Sequence, residues 1–159
     1  MALAAHDGGR IARLIALGVP VALLGGAYVS QYGFGLYPCE MCWWQRYALF
    51  LALPFALLAW VRPSARALTL LALFGILAGG LIGGFHAGVE YGWWEGLTAC
   101  TTTTNLSGGN ALDAILDAPI IRCDVAPWTL FGISLAGWNF LISVPAALLG
   151  LMLLRRKEG

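Results

Sequence analysis

The sequence predicts an all-α fold, a polytopic membrane four-helix bundle with a long outer loop that carries a short amphipathic helix. Composition is the first indication: 60% of the 159 residues are hydrophobic and 11% are charged, whereas soluble domains have about 45–50% and about 25%. The second is that four apolar segments each reach the roughly 20 residues that a bilayer-spanning helix needs. The third is that most basic residues flank these segments. We expect one membrane domain over residues 1–159.

The predicted spans cover about residues 11–30, 43–61, 67–89 and 128–154. An even number of spans puts both termini on one side of the membrane. Basic residues lie at both termini and between the second and third spans: Arg10, Arg13, Arg62, Arg66, Arg155, Arg156 and Lys157. The positive-inside rule makes these regions cytoplasmic, so the loop of about residues 90–127 faces out. No basic cluster of the kind that binds nucleic acid is present in the sequence.

The first span has an alternative interpretation as a cleaved signal peptide, because Arg10 and Arg13 precede an apolar stretch. It is longer than a usual signal core and has no clear small-x-small site before Gln31. We therefore expect an anchored helix, and sequencing of the mature N-terminus would decide between the two.

The candidate chemistry centres on Cys39-Glu40-Met41-Cys42, a Cys-x-x-Cys pair at the start of the second span. Pro38 biases the preceding residue toward an extended conformation, and no Pro or Gly interrupts residues 39–53. A helix that starts near Cys39 places both thiols on one face, with Arg46 about 6 Å further along the axis than Cys42. The helix N-terminus and the guanidinium both favour thiolate. The pattern predicts reactive cysteines.

Two other interpretations of this pair are an inert buried pair and half of a zinc site. The remaining cysteines, Cys100 and Cys123, form no second close pair, which argues against zinc, and we predict no metal site. All four cysteines are predicted at or beyond the outer membrane surface, where an oxidising compartment suits disulfide chemistry.

A short helix over residues 111–118 is predicted between the loop cysteines. Asn110 is a suitable N-cap and Pro119 ends the segment. Its apolar face predicts a position on the membrane surface, which would hold Cys100 and Cys123 near the bilayer. The alternative is an irregular loop.

The cysteine pairs together suggest a thiol–disulfide relay, in which the loop pair meets an outside protein and passes electrons to the pair at the helix start. The sequence has no haem attachment signature, iron–sulfur spacing or dinucleotide-binding glycines. A lipid-soluble quinone is therefore the expected acceptor. Arg46 is suitably located to polarise its carbonyl, although a side chain that snorkels to the membrane surface is the alternative.

The chain resembles the disulfide bond formation protein B (DsbB) family in the motifs Pro38-Cys39-x-x-Cys42-x-x-Gln45-Arg46, Cys100, Cys123-Asp124, and Trp128-Thr129-x-Phe131-Gly132-x-Ser134-x-Ala136-Gly137-Trp138-Asn139. The likeness covers most of the chain, including the four-span layout and the cysteine order. It implies a bacterial inner-membrane protein-disulfide:quinone oxidoreductase that reoxidises a periplasmic DsbA-like thiol oxidase and draws on the membrane pool of ubiquinone or menaquinone.

The resemblance also implies roles for the four cysteines. Cys100 would form the mixed disulfide with the partner oxidase, and Cys123 would be its loop mate. Cys123 would then exchange with Cys39, leaving Cys42 as the thiolate next to the quinone. The loop between Cys100 and Cys123 is somewhat shorter than in the best-known members of the family.

Three further residues would bind the quinone by the same resemblance. Arg46 matches the family's quinone-contacting arginine, and Gln45 is its neighbour. His86 resembles a family histidine close to the quinone, although an ordinary hydrogen-bonded histidine is an equal alternative.

Other functions remain open from the sequence. A vitamin K epoxide reductase-like enzyme is also a four-span thiol and quinone enzyme, but its loop cysteines precede the Cys-x-x-Cys pair, the opposite of the order here. A non-enzymatic membrane protein with a structural loop disulfide would instead have unreactive cysteines.

Overall fold

Four long helices form the protein, as seen in a computed structural model that describes residues 2–97, 101–102 and 120–155, with side chains for 8–97 and 121–155. They are α1 (Ala2–Phe34), α2 (Glu40–Val61), α3 (Arg66–Glu90) and α4 (Leu135–Arg155). Each contains a segment long and apolar enough to cross a membrane. The predicted all-α, multi-pass fold is confirmed. Cys100 and the predicted helix at 111–118 lie outside the described residues.

Short strands occupy the connection between α3 and α4. They are β1 (Thr101–Thr102), β2 (Ile120–Ile121), β3 (Thr129–Leu130) and β4 (Ile133–Ser134), and β1 pairs with β2 and β3 with β4, both antiparallel. Phe131 and Gly132 form the β3–β4 turn with φ of 54° and 77°. The fourth helix therefore begins at Leu135 and not near residue 128, where the sequence predicts the fourth span to begin, because these left-handed residues turn the chain before the helix starts.

Helix α3 is central to the bundle, with its most extensive contacts to α2 and α4. Its glycines allow this close approach, because they have no side chain that would hold the neighbouring helices apart. A Cβ atom at Gly75 would lie 3.0 Å from Ala52 Cβ, and one at Gly80 would lie 2.7 Å from Ser143 Cβ. Side chains at these positions would therefore push α2 and α4 away from α3.

Two separate apolar clusters fill the interior. The larger is rich in alanine: Ala12, Ala16, Leu24, Leu49, Ala52, Ala56, Ala72, Leu73, Ile76, Ala147 and Leu154. The smaller contains Cys39, Met41, Val89 and Cys123. It lies where α2 begins and α3 ends, which we call the cysteine end of the bundle. The tertiary fold therefore buries two cysteines from distant parts of the chain in one small cluster.

Candidate functional site

The Cys-x-x-Cys pair forms the N-terminus of α2, as predicted. Cys39 is the N-cap residue with an extended backbone, and its sulfur accepts a hydrogen bond from the backbone N–H of Cys42 at 3.4 Å. Cys39 Sγ also donates to Cys42 Sγ at 3.2 Å. Cys39 is buried and Cys42 is half-buried. The two sulfurs share one face of the helix start.

The protonation of Cys39 differs from the sequence-based expectation. Its hydrogen bond to Cys42 and its burial raise the pKa of Cys39 to about 12, although His86 acts in the opposite direction. The expectation of a thiolate is therefore wrong at Cys39: donation to a neighbouring sulfur and loss of solvent outweigh the helix N-terminus. In this arrangement Cys39 is the proton donor of the pair and Cys42 the acceptor.

Cys123 approaches this pair from the loop. The ligand atoms of Cys39, His86 and Cys123 all lie within 4.8 Å of one another, and all three residues are buried. No disulfide joins Cys39, Cys42 and Cys123, the cysteines in the described ranges. The structure thus brings together a sulfur of the helix pair and a sulfur of the loop pair.

Charged residues flank Cys123 on both sides in the sequence. Arg122 donates two hydrogen bonds to the Asp124 carboxylate, at 2.8 and 2.5 Å. This contact holds the pKa of Asp124 below its usual range. Both side chains are about half exposed, so the pair braces the loop at the surface while Cys123 between them points into the protein.

His86 lies against the sulfurs. Its Nε2 is 3.5 Å from Cys39 Sγ and 3.2 Å from the carbonyl oxygen of Cys123. Glu90, one helical turn further along α3, places Oε1 3.8 Å from the same nitrogen, and its side chain is 3% exposed. The Oε2 atom of Glu90 is buried without a hydrogen-bond partner in the described part of the chain. A buried imidazole and a buried carboxyl group therefore border the cysteine sulfurs.

Gln45 contacts His86 from the opposite side. Gln45 Nε2 lies 2.9 Å from His86 Nδ1, and Gln45 Oε1 accepts a hydrogen bond from Asn139 Nδ2 at 2.8 Å. Ser143 Oγ donates to Asn139 Oδ1 at 2.8 Å. All four side chains are buried, so a continuous chain of polar groups, which we call the amide chain, crosses the bundle from α4 to the cysteines.

Arg46 is held between α1 and α2. It donates to Gln31 Oε1 at 2.6 Å and to the carbonyl oxygen of Ala27 at 3.2 Å. Its guanidinium carbon lies 5.1 Å from the ring centroids of both Tyr28 and Trp43. With 6% of Arg46 exposed, these contacts favour a buried, ordered guanidinium over a side chain that snorkels to the surface.

In the described part of the chain, two cavities adjoin the Cys-x-x-Cys pair. The larger, about 230 Å³, has mainly aliphatic walls from α1, α2 and α4, and Cys42, Gln45, Arg46 and Asn139 also line it. We call it the apolar cavity. The second, about 190 Å³, is lined by Cys39, Cys42, His86 and Glu90 together with loop residues, and we call it the cysteine cavity. Cys42 lines both cavities.

The predicted quinone contacts divide between these cavities. Arg46 and Gln45 line the apolar cavity, whereas His86 lines the cysteine cavity. His86 thus lies with the sulfurs, in the hydrogen-bonded setting that the sequence left as an alternative.

Sequence reasoning did not assign a site role to Glu90, Asn139 or Ser143. Signals for them exist: Glu90 follows His86 at i+4 near the end of a span, and Asn139 and Ser143 are separated by the same interval inside another. Polar residues inside a membrane span are rare enough to indicate a functional or structural reason. Helical spacing alone gives no indication that α2 and α4 meet at Gln45.

The chain matches the model of the family described as "Disulfide bond formation protein DsbB" over residues 9–153. A relative named Disulfide bond formation protein B from Polaromonas sp. is 32% identical, and the alignment covers 92% of this chain and 90% of that protein. A relative of the same name from Verminephrobacter eiseniae is 33% identical over 91% of this chain and 83% of its own. A Rickettsia prowazekii protein described as uncharacterized is 25% identical over 94% and 91%. No solved structure matches this chain significantly.

Proposed function

Since the chain belongs to the disulfide bond formation protein DsbB family and is therefore a disulfide-forming membrane oxidoreductase, we propose that it reoxidises a periplasmic DsbA-like thiol oxidase and passes the electrons to membrane ubiquinone or menaquinone. The observation that carries the proposal is the buried cluster in which Cys39 and Cys123 lie with their ligand atoms within 4.8 Å. Sulfur atoms must come this close for thiol–disulfide exchange between the two pairs.

The first half of the proposed reaction takes place in the loop. A thiolate of the partner attacks Cys100 of a Cys100–Cys123 disulfide, which forms a mixed disulfide and releases Cys123 as a thiolate. The second partner thiol, as its thiolate, then displaces Cys100 and closes the partner's own disulfide. The partner has lost two electrons and the loop cysteines have gained them.

The second half transfers these electrons to the helix pair. The Cys123 thiolate attacks Cys39 of a Cys39–Cys42 disulfide and releases Cys42 as a thiolate. Cys100 then attacks Cys123 in the new Cys39–Cys123 disulfide, which restores the loop disulfide and leaves the helix pair reduced. The hydrogen bond that Cys39 donates to Cys42 fits the reduced product of these steps, in which Cys42 is the thiolate and Cys39 has taken up a proton after leaving the Cys39–Cys123 disulfide.

The apolar cavity is the proposed quinone site. Its volume of about 230 Å³ is just below the range of about 300–1,000 Å³ for small-molecule sites, and its aliphatic walls suit a hydrophobic ring. Cys42 and Arg46 both line it. A bound quinone supplies an acceptor for two electrons and two protons. The Arg46 guanidinium would stabilise the negative charge that develops in this cavity.

We propose the membrane orientation from the sequence, with both termini cytoplasmic and the cysteine end in the periplasm. The basic residues between α2 and α3 lie at the bundle end opposite Cys39, which agrees with the positive-inside rule. Labelling of intact cells with a membrane-impermeant thiol reagent tests this proposal. Reaction of the reduced cysteines only in inside-out membrane vesicles, and not in intact cells, would overturn it.

The direct test is anaerobic quinone reduction by the purified full-length protein, with a reduced DsbA-type protein as the electron donor. We expect turnover with a soluble ubiquinone or menaquinone analogue and its loss on Cys→Ser substitution at any of the four cysteines. Arg46→Gln should raise the KM for quinone, whereas Arg62→Gln, at the exposed start of the α2–α3 connection, should leave it unchanged. Equal quinone reduction without Cys39 or Cys42 would refute the relay.

Disulfide trapping tests the exchange partner separately. A Cys42→Ser/Cys100→Ser variant retains Cys39 and Cys123, and mild oxidation should join them within one chain. The matched Cys39→Ser/Cys100→Ser variant, which retains Cys42 and Cys123, should cross-link more slowly. The reverse order of rates would assign the exchange to Cys42.

A further inference from the structure

Two backbone carbonyl groups fix the direction of the amide chain. Asn139 Nδ2 donates to the carbonyl oxygen of Gly79 at 3.1 Å, and Gln45 Nε2 donates to that of Met41 at 3.2 Å. A carbonyl oxygen only accepts hydrogen bonds, so inversion of either amide would set two oxygens against each other. Asn139 and Gln45 are therefore each held in one orientation by a group outside the amide chain.

This orientation determines which ring nitrogen of His86 carries the proton. Gln45 Nε2, which only donates, faces His86 Nδ1 at 2.9 Å, so Nδ1 must be the unprotonated acceptor. The groups around Nε2 are acceptors: the Cys123 carbonyl oxygen at 3.2 Å, the Glu90 carboxyl oxygen at 3.8 Å and the Cys39 sulfur at 3.5 Å. The donor beside Nδ1 and the acceptors beside Nε2 therefore both favour a proton on Nε2.

We propose that Gln45, oriented by Asn139, is a positioning residue that locks His86 in the Nε2–H tautomer, so that the ring donates a hydrogen bond toward the sulfur of Cys39 and does not act as its base. A donor at this place stabilises the negative charge that develops on Cys39 when it leaves the disulfide with Cys123. The catalytic role of this hydrogen bond rests on the proposed relay, whereas the tautomer of His86 is a property of the resting protein.

The same lock bears on the choice between metal binding and the proposed thiol exchange, because Cys39, His86 and Cys123 are residue types that also bind metal ions. Two thiols and an imidazole within 4.8 Å are a donor set that zinc accepts. A metal ion on Nε2 would require the proton of His86 to move to Nδ1, where it would face the N–H of Gln45. Metal-bound histidines normally donate this second N–H to an acceptor, and Gln45 offers a donor there. The amide chain therefore disfavours a metal ion and leaves the sulfurs available to each other.

Nitrogen-15 NMR of histidine-labelled full-length protein in lipid nanodiscs tests the tautomer, with His6→Gln so that His86 is the only histidine. At mildly alkaline pH, the parent should show Nε2 protonated and Nδ1 bare. Gln45→Glu and Asn139→Asp, both isosteric, should move the proton to Nδ1. The first places a carboxylate acceptor beside the ring, and the second draws the Gln45 amide into its inverted orientation.

Ser143→Ala is the matched control. It removes one hydrogen bond of the amide chain but leaves Asn139 held by Gly79 and Gln45, so the tautomer should not change. The proposal would be overturned if the parent protein has the proton on Nδ1, or if Gln45→Glu and Asn139→Asp give the same spectrum as the parent.

Cobalt(II) binding provides a second readout that needs neither quinone nor partner. In a reduced Cys42→Ser/Cys100→Ser background, the Cys-x-x-Cys chelate is absent while Cys39, His86 and Cys123 remain. Adding Gln45→Glu should tighten cobalt binding by about 10–100-fold, the usual effect of the outer partner of a ligating histidine. Equally tight binding with Gln45 and with Glu would show that no lock exists. Failure of the relay assay alone would leave both readouts intact.

Discussion

Gly83 is the position in α3 where the amide chain leaves no room for a side chain. A Cβ atom there would lie 2.9 Å from the backbone oxygen of Ala136, 3.0 Å from Asn139 Nδ2 and 3.1 Å from Gln45 Oε1. None of these atoms can move aside easily, because one belongs to the backbone of a helix and the other two are amide groups hydrogen-bonded to each other. Gly83→Ala should therefore separate α3 from α4 or break the bond between Asn139 and Gln45.

The size of this effect follows from three contributions. Overpacking of a close-packed interior costs about 1–3 kcal/mol, and an interhelical hydrogen bond in a membrane protein contributes on average about 0.6 kcal/mol. The higher helix propensity of alanine returns about 1 kcal/mol. The net loss of unfolding free energy is then roughly 0.6–2.6 kcal/mol.

The matched control is Gly18→Ala in α1, where a Cβ atom would meet nothing within 4 Å. This substitution should be neutral or stabilising by up to about 1 kcal/mol. Thermal unfolding of both variants in the same detergent measures the difference, and the histidine NMR spectrum reports whether the amide chain has moved. Equal stability of the two variants, with an unchanged His86 signal, would refute the packing argument.

Three other features of the structure lead to further predictions. The pKa of Cys39 is raised to about 12 and only the thiolate is alkylated, so the alkylation rate of Cys39 in the reduced protein should keep rising at pH values well above the ordinary thiol pKa. Cys42→Ser removes the acceptor of the Cys39 proton and should shift this pH profile to lower pH. A rate that levels off at the ordinary thiol pKa would contradict the assignment of Cys39 as the proton donor. The Tyr91 hydroxyl donates a hydrogen bond to the Gly132 carbonyl oxygen in the β3–β4 turn and accepts one from the Ser134 backbone N–H in β4. Tyr91→Phe removes both bonds and should lower the unfolding free energy by about 1–3 kcal/mol. Thermal unfolding measures the loss, and an unchanged Tm would count against these bonds. Phe131 has φ of 54° and is 87% exposed, so Phe131→Gly should relieve about 1–2 kcal/mol of left-handed backbone strain. The greater entropy of glycine in the unfolded chain offsets roughly 0.5–1 kcal/mol of this gain. The variant should therefore be as stable as the parent or more stable in thermal unfolding, and a lower Tm would contradict this.

The transmembrane helices were predictable because hydropathy and length are sufficient to identify them. The boundary at the start of α4 was not, since residues 128–134 are as apolar as a helix start. There the backbone turns at Phe131 and Gly132, and Gly132 was the available signal. Hydropathy has no information about the sign of φ, so an apolar hairpin that directly precedes a helix is included in the predicted span.

The position of the Cys-x-x-Cys pair on one face of the helix start was predictable for a local reason: spacing along one helix determines which side chains share a face. The protonation of Cys39 was not, because it depends on burial and on a neighbour's sulfur. The position of Cys123 beside Cys39 and the contact of Gln45 with Asn139 come from tertiary packing of distant segments. No single sequence contains those distances. The catalytic and quinone-binding roles of these residues remain predictions.

The partition between the two cavities gives the proposed relay a direction. Cys39 lines the cysteine cavity, Arg46 lines the apolar cavity, and Cys42 lines both. An acceptor held in the apolar cavity would therefore meet Cys42 and not Cys39, whereas the loop thiol Cys123 lies beside Cys39. Gln45 belongs to both environments, because it lines the apolar cavity and contacts His86 beside the sulfurs. A ligand that displaces Gln45 from its amide partners would unlock the His86 tautomer, so occupation of one cavity would change the hydrogen bond offered to Cys39 in the other.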